Sequence, residues 1–378
     1  MTTLLIGIIY LSFISLGLPD SLLGSAWPTM YSEMGSTITG AGTLAMIISA
    51  CTVVSSLMAD RVIHRFGTGK VTTVSVAMTA LALFGFSMSG AYWHLVLWCI
   101  PYGLGAGSVD SALNNYVALH LKARHMSWLH CMWGVGASIG PIIMAQCLTG
   151  GFGWRGGYRT IGTIQMVLTA LLVLSLPLWT RESRNSSVDE STRNVLSLGE
   201  AVRLPGAKRI LIAFLCYCAL ESSAGLWAAS WLVETRGVSP NAAAGYAALF
   251  YLGITGGRAV SGFISERLGD TKMIRLGQGI VLLGIAMLLV PGSVMLARAG
   301  LVTIGIGCAP IYPSVIHSTP DRFGPENSQS LVGIQMASAY IGSMFGPKVF
   351  GLISDALSLG VFPFYLAAIT IVMIIMIY

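Results

Sequence analysis

Charged residues are scarce in this chain of 378 residues. Asp, Glu, Lys and Arg make up 10% of it, hydrophobic residues make up 54%, and the mean hydropathy is +0.76. A soluble domain carries about 25% charged residues, so this composition excludes a soluble globular protein and indicates that lipid is the main solvent. The net charge of +6 lies in loops on one side, so it does not predict binding to nucleic acid.

Groups that carry catalysis or bind metals are also few. The seven cysteines lie inside apolar runs, and none belongs to a CxxC pair or to a metal-ligand cluster. We interpret them as small hydrophobic packing residues. No nucleophile, metal cluster or phosphate-binding loop stands out, so we expect no enzyme activity, no cofactor and no metal site.

Long apolar runs are what the chain has instead. A helix crosses a bilayer with about 20 apolar residues, and no basic region precedes the first run, which favours a retained span over a cleaved signal peptide. The sequence predicts an all-α polytopic membrane protein whose twelve spans lie near 4–31, 38–59, 70–89, 92–121, 128–150, 158–179, 209–233, 241–265, 272–291, 294–317, 328–354 and 360–378.

The Lys and Arg residues of the loops predict the orientation. With a cytoplasmic N-terminus, the inner loops and the connector after span six hold fifteen of them, and the outer loops hold four. Because basic loops stay on the cytoplasmic side, we expect a multi-pass protein of the cell membrane with both termini cytoplasmic. The polar connector is interpreted as a tether or, alternatively, a regulatory loop, with a short amphipathic helix over 196–204.

One charged segment occurs twice, about two hundred residues apart, each time between two apolar runs. Its copies are Asp60-Arg61…Gly67…Lys70 and Glu266-Arg267…Gly269…Lys272. Two similar halves about a central site are typical of secondary transporters. We therefore expect a six-helix bundle over 1–180, a cytoplasmic linker over 181–208 and a second six-helix bundle over 209–378.

This repeated segment resembles the loop signature of the major facilitator superfamily. The resemblance implies the fold of that superfamily, with twelve helices in two bundles, and a working monomer in the lipid bilayer. It also implies that Asp60, Arg61, Glu266 and Arg267 are gating residues and do not bind substrate.

Ionisable side chains inside the spans are the candidate functional residues, because charges in a membrane are costly and usually mark ion or substrate pathways. We expect Asp20 in span one and Asp110 in span four to take up and release protons. The alternative is that they cap or pair helices as structural groups. Asn114 shares a helix face with Asp110, and an acid beside an amide can bind hydroxyl groups.

The span-four pattern Gly-x-Gly-x-Gly-x-x-Asp110-x-Ala-x-Asn114, with Asp20 late in span one, resembles the fucose/proton symporter family. The resemblance implies proton-coupled transport, mostly of sugars, with one acid in helix one and one in helix four. Sugar-transporting members tend to carry Gln and Asn where this chain has His130 and Trp133. This departure argues against fucose itself as the substrate.

The working hypothesis is a proton-coupled symporter that imports a small hydroxylated solute, a sugar or sugar derivative. The residues expected to bind it are Asn114, Asn115, His130, Trp133, Glu221 and Trp227. Arg258 is expected to pair with Glu221 or another acid, either structurally or in substrate binding. The alternatives are a proton-driven antiporter that exports drugs or metabolites, suggested by Gly136-Ala-Ser-Ile-Gly-Pro141, and a non-transporting sensor.

Overall fold

The computed structural model describes residues 3–20, 22–36, 40–185, 196–238 and 240–377, and within these ranges the chain contains helices and no strand. The all-α prediction is therefore confirmed. The helices are α1 Thr3–Asp20, α2 Leu22–Met30, α3 Gly40–Phe66, α4 Thr68–Met88, α5 Tyr92–His120, α6 Ala123–Thr149, α7 Gly153–Asn185, α8 Leu198–Arg203, α9 Ala207–Arg236, α10 Pro240–Leu268, α11 Asp270–Leu289, α12 Val294–His317, α13 Thr319–Phe323, α14 Ser328–Ala356 and α15 Phe362–Ile377, with a 3-10 turn at Leu359–Val361 before α15.

Twelve long helical segments correspond to the twelve predicted spans, if α1 and α2 are taken together. Among the described residues, nine of these segments are long and apolar enough to cross a membrane. The other three, α5, α10 and α14, have 29 residues each. They carry many of the candidate polar residues, such as Asp110 on α5 and Arg258 on α10.

The two copies of the charged segment fold alike. Gly67 precedes α4 with φ 80°, and Gly269 precedes α11 with φ 74°. A side chain rarely adopts a positive φ, so glycine is needed at this turn between consecutive spans. The short helix predicted near 196–204 is confirmed as α8.

Matched glycines bring helices into close contact in both parts of the repeat. A side chain at Gly103 of α5 would collide with the backbone carbonyl of Ile48 on α3. A side chain at Gly305 of α12 would collide in the same way with the carbonyl of Phe250 on α10. Small residues at such crossings let backbones approach closely in membranes, and this packing sets the position of α5 and its polar face.

The chain forms two compact units. The first unit contains Met1–His120, Met132–Ser197 and Gly324–Ala337, and the second contains Leu121–Cys131, Leu198–Phe323 and Ser338–Tyr378. The beginning of α14 thus belongs to the first unit, and the beginning of α6 belongs to the second. The domain bounds 1–180, 181–208 and 209–378 stay a prediction, and residues 186–195 of the predicted linker lie outside the described residues.

Candidate functional site

Asp20, the last residue of α1, is held by two side chains of the first unit. Its Oδ1 accepts a hydrogen bond from the Tyr102 hydroxyl of α5 at 3.2 Å, and its Oδ2 accepts one from Trp133 Nε1 of α6 at 2.8 Å. The residue lies at the surface of the first unit. In the part of the chain that the structure describes, no Lys, Arg or His lies within 4 Å of this carboxylate. It is therefore a carboxylate in a span with two neutral donors.

Asp110 and Asn114 form a buried acid–amide pair on α5. Asn114 Nδ2 donates to Asp110 Oδ1 at 2.8 Å and to the Asp110 carbonyl at 2.9 Å. Asp110 is 5% exposed and Asn114 is fully buried. The two residues lie one turn apart on the same face, as the sequence predicts. Tyr102, which contacts Asp20, lies eight residues before Asp110, a rise of about 12 Å along the helix, so α5 carries the two carboxyl sites at different levels.

Asn115 contacts the first turn of α14 within the first unit. Its Nδ2 donates to Gln329 Oε1 at 2.8 Å, and its Oδ1 accepts from the Ser328 hydroxyl at 2.6 Å. With 1% exposure, Asn115 has both ends of its amide engaged by another helix. Its contacts therefore connect α5 to α14.

Asp60 contacts the same turn of α14. The Ser330 hydroxyl donates to Asp60 Oδ2, and the Ser330 oxygen accepts from the backbone amide of Leu196 at 3.1 Å. Asp60 is 5% exposed, whereas the neighbouring Arg61 is exposed. The backbones also meet, since a side chain at Gly333 would lie 2.5 Å from the Ser56 carbonyl. The first copy of the charged segment therefore binds the beginning of α14 through its acid.

Glu266 occupies the equivalent place in the second copy and contacts the beginning of α6 within the second unit. Its carboxylate lies 3.2 Å from Arg124 Nε and 3.9 Å from Lys122 Nζ. Arg267, like Arg61, is exposed. In both copies the acidic residue contacts another helix end and the following arginine faces outward, although the partners differ in chemistry.

The polar cluster of the second unit surrounds Arg258 on α10. Arg258 NH2 lies 3.5 Å from Glu221 Oε1 of α9, so the predicted pairing of these two residues is confirmed. Arg258 is 4% exposed, and the buried His130 ring packs edge-on against Tyr312 with centroids 4.6 Å apart. The sequence suggested the ion pair and His130 but contained no signal for Tyr312.

Trp227 occupies a different place in the second unit from this cluster. Its Nε1 donates to the Pro347 carbonyl of α14 at 2.9 Å, and its ring packs edge-on against Phe350. No direct contact between Trp227 and Glu221 is seen among the described residues. The indole N–H therefore binds the carbonyl of a proline within α14.

An additional polar contact in the second unit involves a histidine that the sequence analysis did not select. His317 Nδ1 lies 2.7 Å from Asp270 Oδ2, and Nε2 lies 3.1 Å from the Leu121 carbonyl. An ionised carboxylate and a carbonyl only accept hydrogen bonds, so a protonated His317 ring can donate to both partners at once. His317 therefore connects α12 to Asp270 of α11 and to residue 121.

Comparisons with known proteins agree with this architecture. Residues 9–347 match the family model described as Major Facilitator Superfamily. Bypass of stop codon protein 6 of Saccharomyces cerevisiae is 22% identical over 286 residues, which is 69% of this chain and 56% of that protein. The chain thus spans little more than half the length of this yeast relative. The glucose/mannose transporter GlcP of Bacillus subtilis is 21% identical over 80% of this chain and 77% of that protein.

A solved structure shares the fold over nearly the whole chain. The crystal structure of the E. coli fucose:proton symporter FucP has a TM-score of 0.76 and 14% identity, covering 99% of this chain and 98% of that one. At such identity the likeness shows the fold alone, and it confirms the predicted twelve-helix arrangement. Because the family model covers most of the chain and the fold agrees, this protein belongs to the Major Facilitator Superfamily of membrane transporters.

Proposed function

We propose that this transporter is a proton-coupled symporter that imports a small hydroxylated solute, a sugar or sugar derivative. The observation that carries the proposal is the Asp20 carboxylate, which lies in a membrane span and is held by two neutral hydrogen-bond donors. An ionised carboxylate without a nearby cation is costly to enclose in a membrane. Protonation removes that charge, so Asp20 can couple proton uptake to closure of the loaded carrier.

The acid–amide pair of α5 supports a hydroxylated solute. Asp110 and Asn114 are buried. The carboxylate of Asp110 accepts hydrogen bonds and the amide of Asn114 both donates and accepts them, so the pair can bind sugar hydroxyls. Two relatives by sequence or fold carry names that state sugar transport, GlcP and FucP. We propose that Asn114 and the ring of Trp133 bind the solute, with the Trp133 N–H holding Asp20. Glu221, His130 and Trp227 stay predicted binding residues.

The contacts of the repeated charged segments support a gating role. Asp60 and Asn115 bind the first turn of α14, and Glu266 binds Arg124 near the beginning of α6. We propose that both termini are cytoplasmic, so these helix ends lie at the cytoplasmic face. Breaking and remaking these contacts would then open and close that face during the transport cycle. Asn115 would act in this gate and not at the substrate.

The experiment is uptake into proteoliposomes with an imposed inward proton gradient, using labelled monosaccharides, amino sugars and polyols. We expect accumulation of at least one sugar by the wild type. Asp20→Asn should abolish accumulation but retain counterflow exchange, because the neutral side chain mimics the protonated state. Asp355→Asn, a change of an exposed carboxylate in α14, is the matched control and should transport normally.

Asp110→Asn should weaken exchange as well as accumulation, because the acid–amide pair contacts the solute. No uptake of any sugar, together with expulsion of lipophilic cations against the gradient, would refute the symporter and support an exporter. Gly136, in the motif that suggested it, lies against the carbonyl of Ile14 on α1, which accounts for this glycine by helix packing.

A further inference from the structure

A basic cavity lies in the second unit, apart from the residues assigned to transport. It has a volume of about 210 Å³, and its lining includes Gly206, Arg209, Ile210, Arg322, Phe323 and Met376. These residues come from the beginning of α9, from α13 and from the end of α15. Pockets for drug-sized ligands have about 300–1,000 Å³, so this cavity suits a smaller group.

The ends of two spans place the cavity at the boundary between hydrocarbon and water. The apolar segment Ala207–Arg236 begins beside it, and Val294–His317 ends five residues before Arg322. At this depth the headgroups of phospholipids surround a membrane protein. Any molecule that enters the cavity from the bilayer therefore presents its headgroup to Arg209 and Arg322.

The two arginines are positioned by neutral partners. Arg209 NH2 donates to the Ile375 carbonyl of α15 at 3.2 Å, and Arg322 Nε donates to the Ser318 hydroxyl at 3.1 Å. Both residues are exposed, and among the described residues neither guanidinium forms an ion pair with a carboxylate within 4 Å. A guanidinium has five N–H donors, so each arginine keeps donors for an anion.

The backbone adds to the positive potential of the cavity. The 30-residue helix α9 begins directly after Gly206, whose φ of 82° turns the chain into the helix. The first-turn amides of a helix lack partners within the helix and carry a partial positive charge. Such a terminus beside two guanidinium groups favours a phosphate over a carboxylate, because a phosphate offers more acceptor oxygens.

The apolar residues of the cavity favour a lipid over a free anion. Ile210 is buried, and Phe323 and Met376 are half-buried at the edge of the same cavity. Apolar side chains next to two arginines suit a molecule with a phosphate group joined to an acyl chain. Basic pockets between spans at the cytoplasmic side of a membrane bind anionic headgroups.

We propose that this cavity binds the phosphate group of an anionic phospholipid. The binding is independent of proton coupling and of the transported solute, so it stands or falls separately from the proposed transport function. Inorganic phosphate shares the same anionic chemistry, and the experiment below separates the two sources.

The test is a lipid titration of the purified full-length protein in neutral detergent, followed by native mass spectrometry. Phosphatidylglycerol is the probe and phosphatidylcholine is the comparison lipid. The variants are Arg322→Gln, Arg209→Gln with Arg322→Gln, and a control double variant with Arg203→Gln and Lys208→Gln. The control removes two exposed basic residues from the same region that do not line the cavity.

We expect one phosphatidylglycerol to bind the wild type more tightly than phosphatidylcholine. Each basic residue near an anionic surface contributes about a factor of five in affinity. The single variant should therefore bind about fivefold more weakly and the double variant about thirtyfold more weakly, with the control unchanged. The single variant keeps the Arg209 contact with α15, so it reports on binding even if the double variant folds poorly.

Equal phosphatidylglycerol affinity in all variants would overturn the proposal, as would an equal loss in the control. A parallel thermal-unfolding series with millimolar inorganic phosphate tests the other source. If phosphate stabilises the wild type but not Arg322→Gln, and phosphatidylglycerol binds no better than phosphatidylcholine, the cavity holds a free anion and the lipid assignment is wrong.

Discussion

The hydrogen bond from Ser330 to Asp60 gives the sharpest prediction about the proposed gate. Asp60 is buried on α3, and its acceptor oxygen is bound by a hydroxyl of α14. Ser330→Ala removes this donor and also the acceptor for the Leu196 amide. A hydrogen bond to a charged group contributes about 1.5–3 kcal/mol. If the bond exists only while α3 and the beginning of α14 are in contact, its loss shifts the equilibrium between the joined and the separated state. The shift is roughly 10- to 150-fold towards the separated state.

Hydrogen–deuterium exchange measures this shift directly, because opening exposes the backbone amides at the beginning of α14. In Ser330→Ala we expect faster exchange in peptides covering 56–63 and 328–337, by at least about tenfold at amides that exchange through opening. Ser330→Thr keeps the hydroxyl and should exchange like the wild type. The measurement needs no introduced cysteine, so the seven native cysteines stay in place.

A hydroxyl elsewhere on α14 supplies the matched control. Ser338 donates to the Leu211 carbonyl at 2.8 Å in the second unit and does not contact Asp60. Ser338→Ala should therefore leave exchange over 56–63 unchanged. The reasoning is refuted if Ser330→Ala exchanges like the wild type, or if Ser338→Ala accelerates the same peptides equally.

Three further predictions concern packing, pH and an ionised histidine. Gly305→Ala should destabilise the protein by about 1–3 kcal/mol because its methyl group would meet a carbonyl of α10, whereas Gly279→Ala, in open space, should not lower the unfolding temperature. Hydrogen bonding to Arg155 lowers the pKa of Glu33. The ionised Glu33 therefore makes a small contribution to stability, which is present above its unfolded-state pKa and is lost as the pH falls through its folded-state pKa. Arg155→Gln should remove this pH dependence from the acid-unfolding profile, and an unchanged profile would contradict the prediction. If His317 is ionised, exchange over 121–131 in the wild type should rise with pH by more than the intrinsic base-catalysed rate, because deprotonation breaks one of its two contacts. His317→Gln should show only the intrinsic rise, and the same excess rise in both proteins would exclude this role.

Helix-level features followed from the sequence because they depend on neighbours along the chain. The apolar runs predicted all twelve long helical segments, and the spacing of four residues placed Asn114 on the same face as Asp110. The repeat of the charged segment predicted a break between two apolar runs in each half, and the chain turns there at Gly67 before α4 and at Gly269 before α11. The pairing of Glu221 with Arg258 was also foreseeable, since few charged groups inside spans are available as partners.

The hydrogen-bond partners of the candidate residues could not be predicted from the sequence. The sequence predicts Trp133 as a substrate-binding residue, and its N–H binds Asp20, 113 residues away in the chain. The sequence predicts the same role for Asn115, whose amide binds the beginning of α14. It contains no signal for the contacts of Tyr102, Ser330 and His317, because a hydroxyl or imidazole in an apolar run does not indicate its partner.

The sequence by itself determined the helices, their apolar character and the duplicated charged turns, because helix periodicity and hydrophobicity act over tens of residues. Tertiary structure alone decided which donors surround Asp20, which hydroxyl reaches Asp60, and that Arg209 and Arg322 line one cavity. Those contacts join helices far apart in the chain, and small residues such as Gly103 and Gly305 set how closely the helices pack. The spacing of residues along the chain does not determine which side chains come into contact where two helices cross.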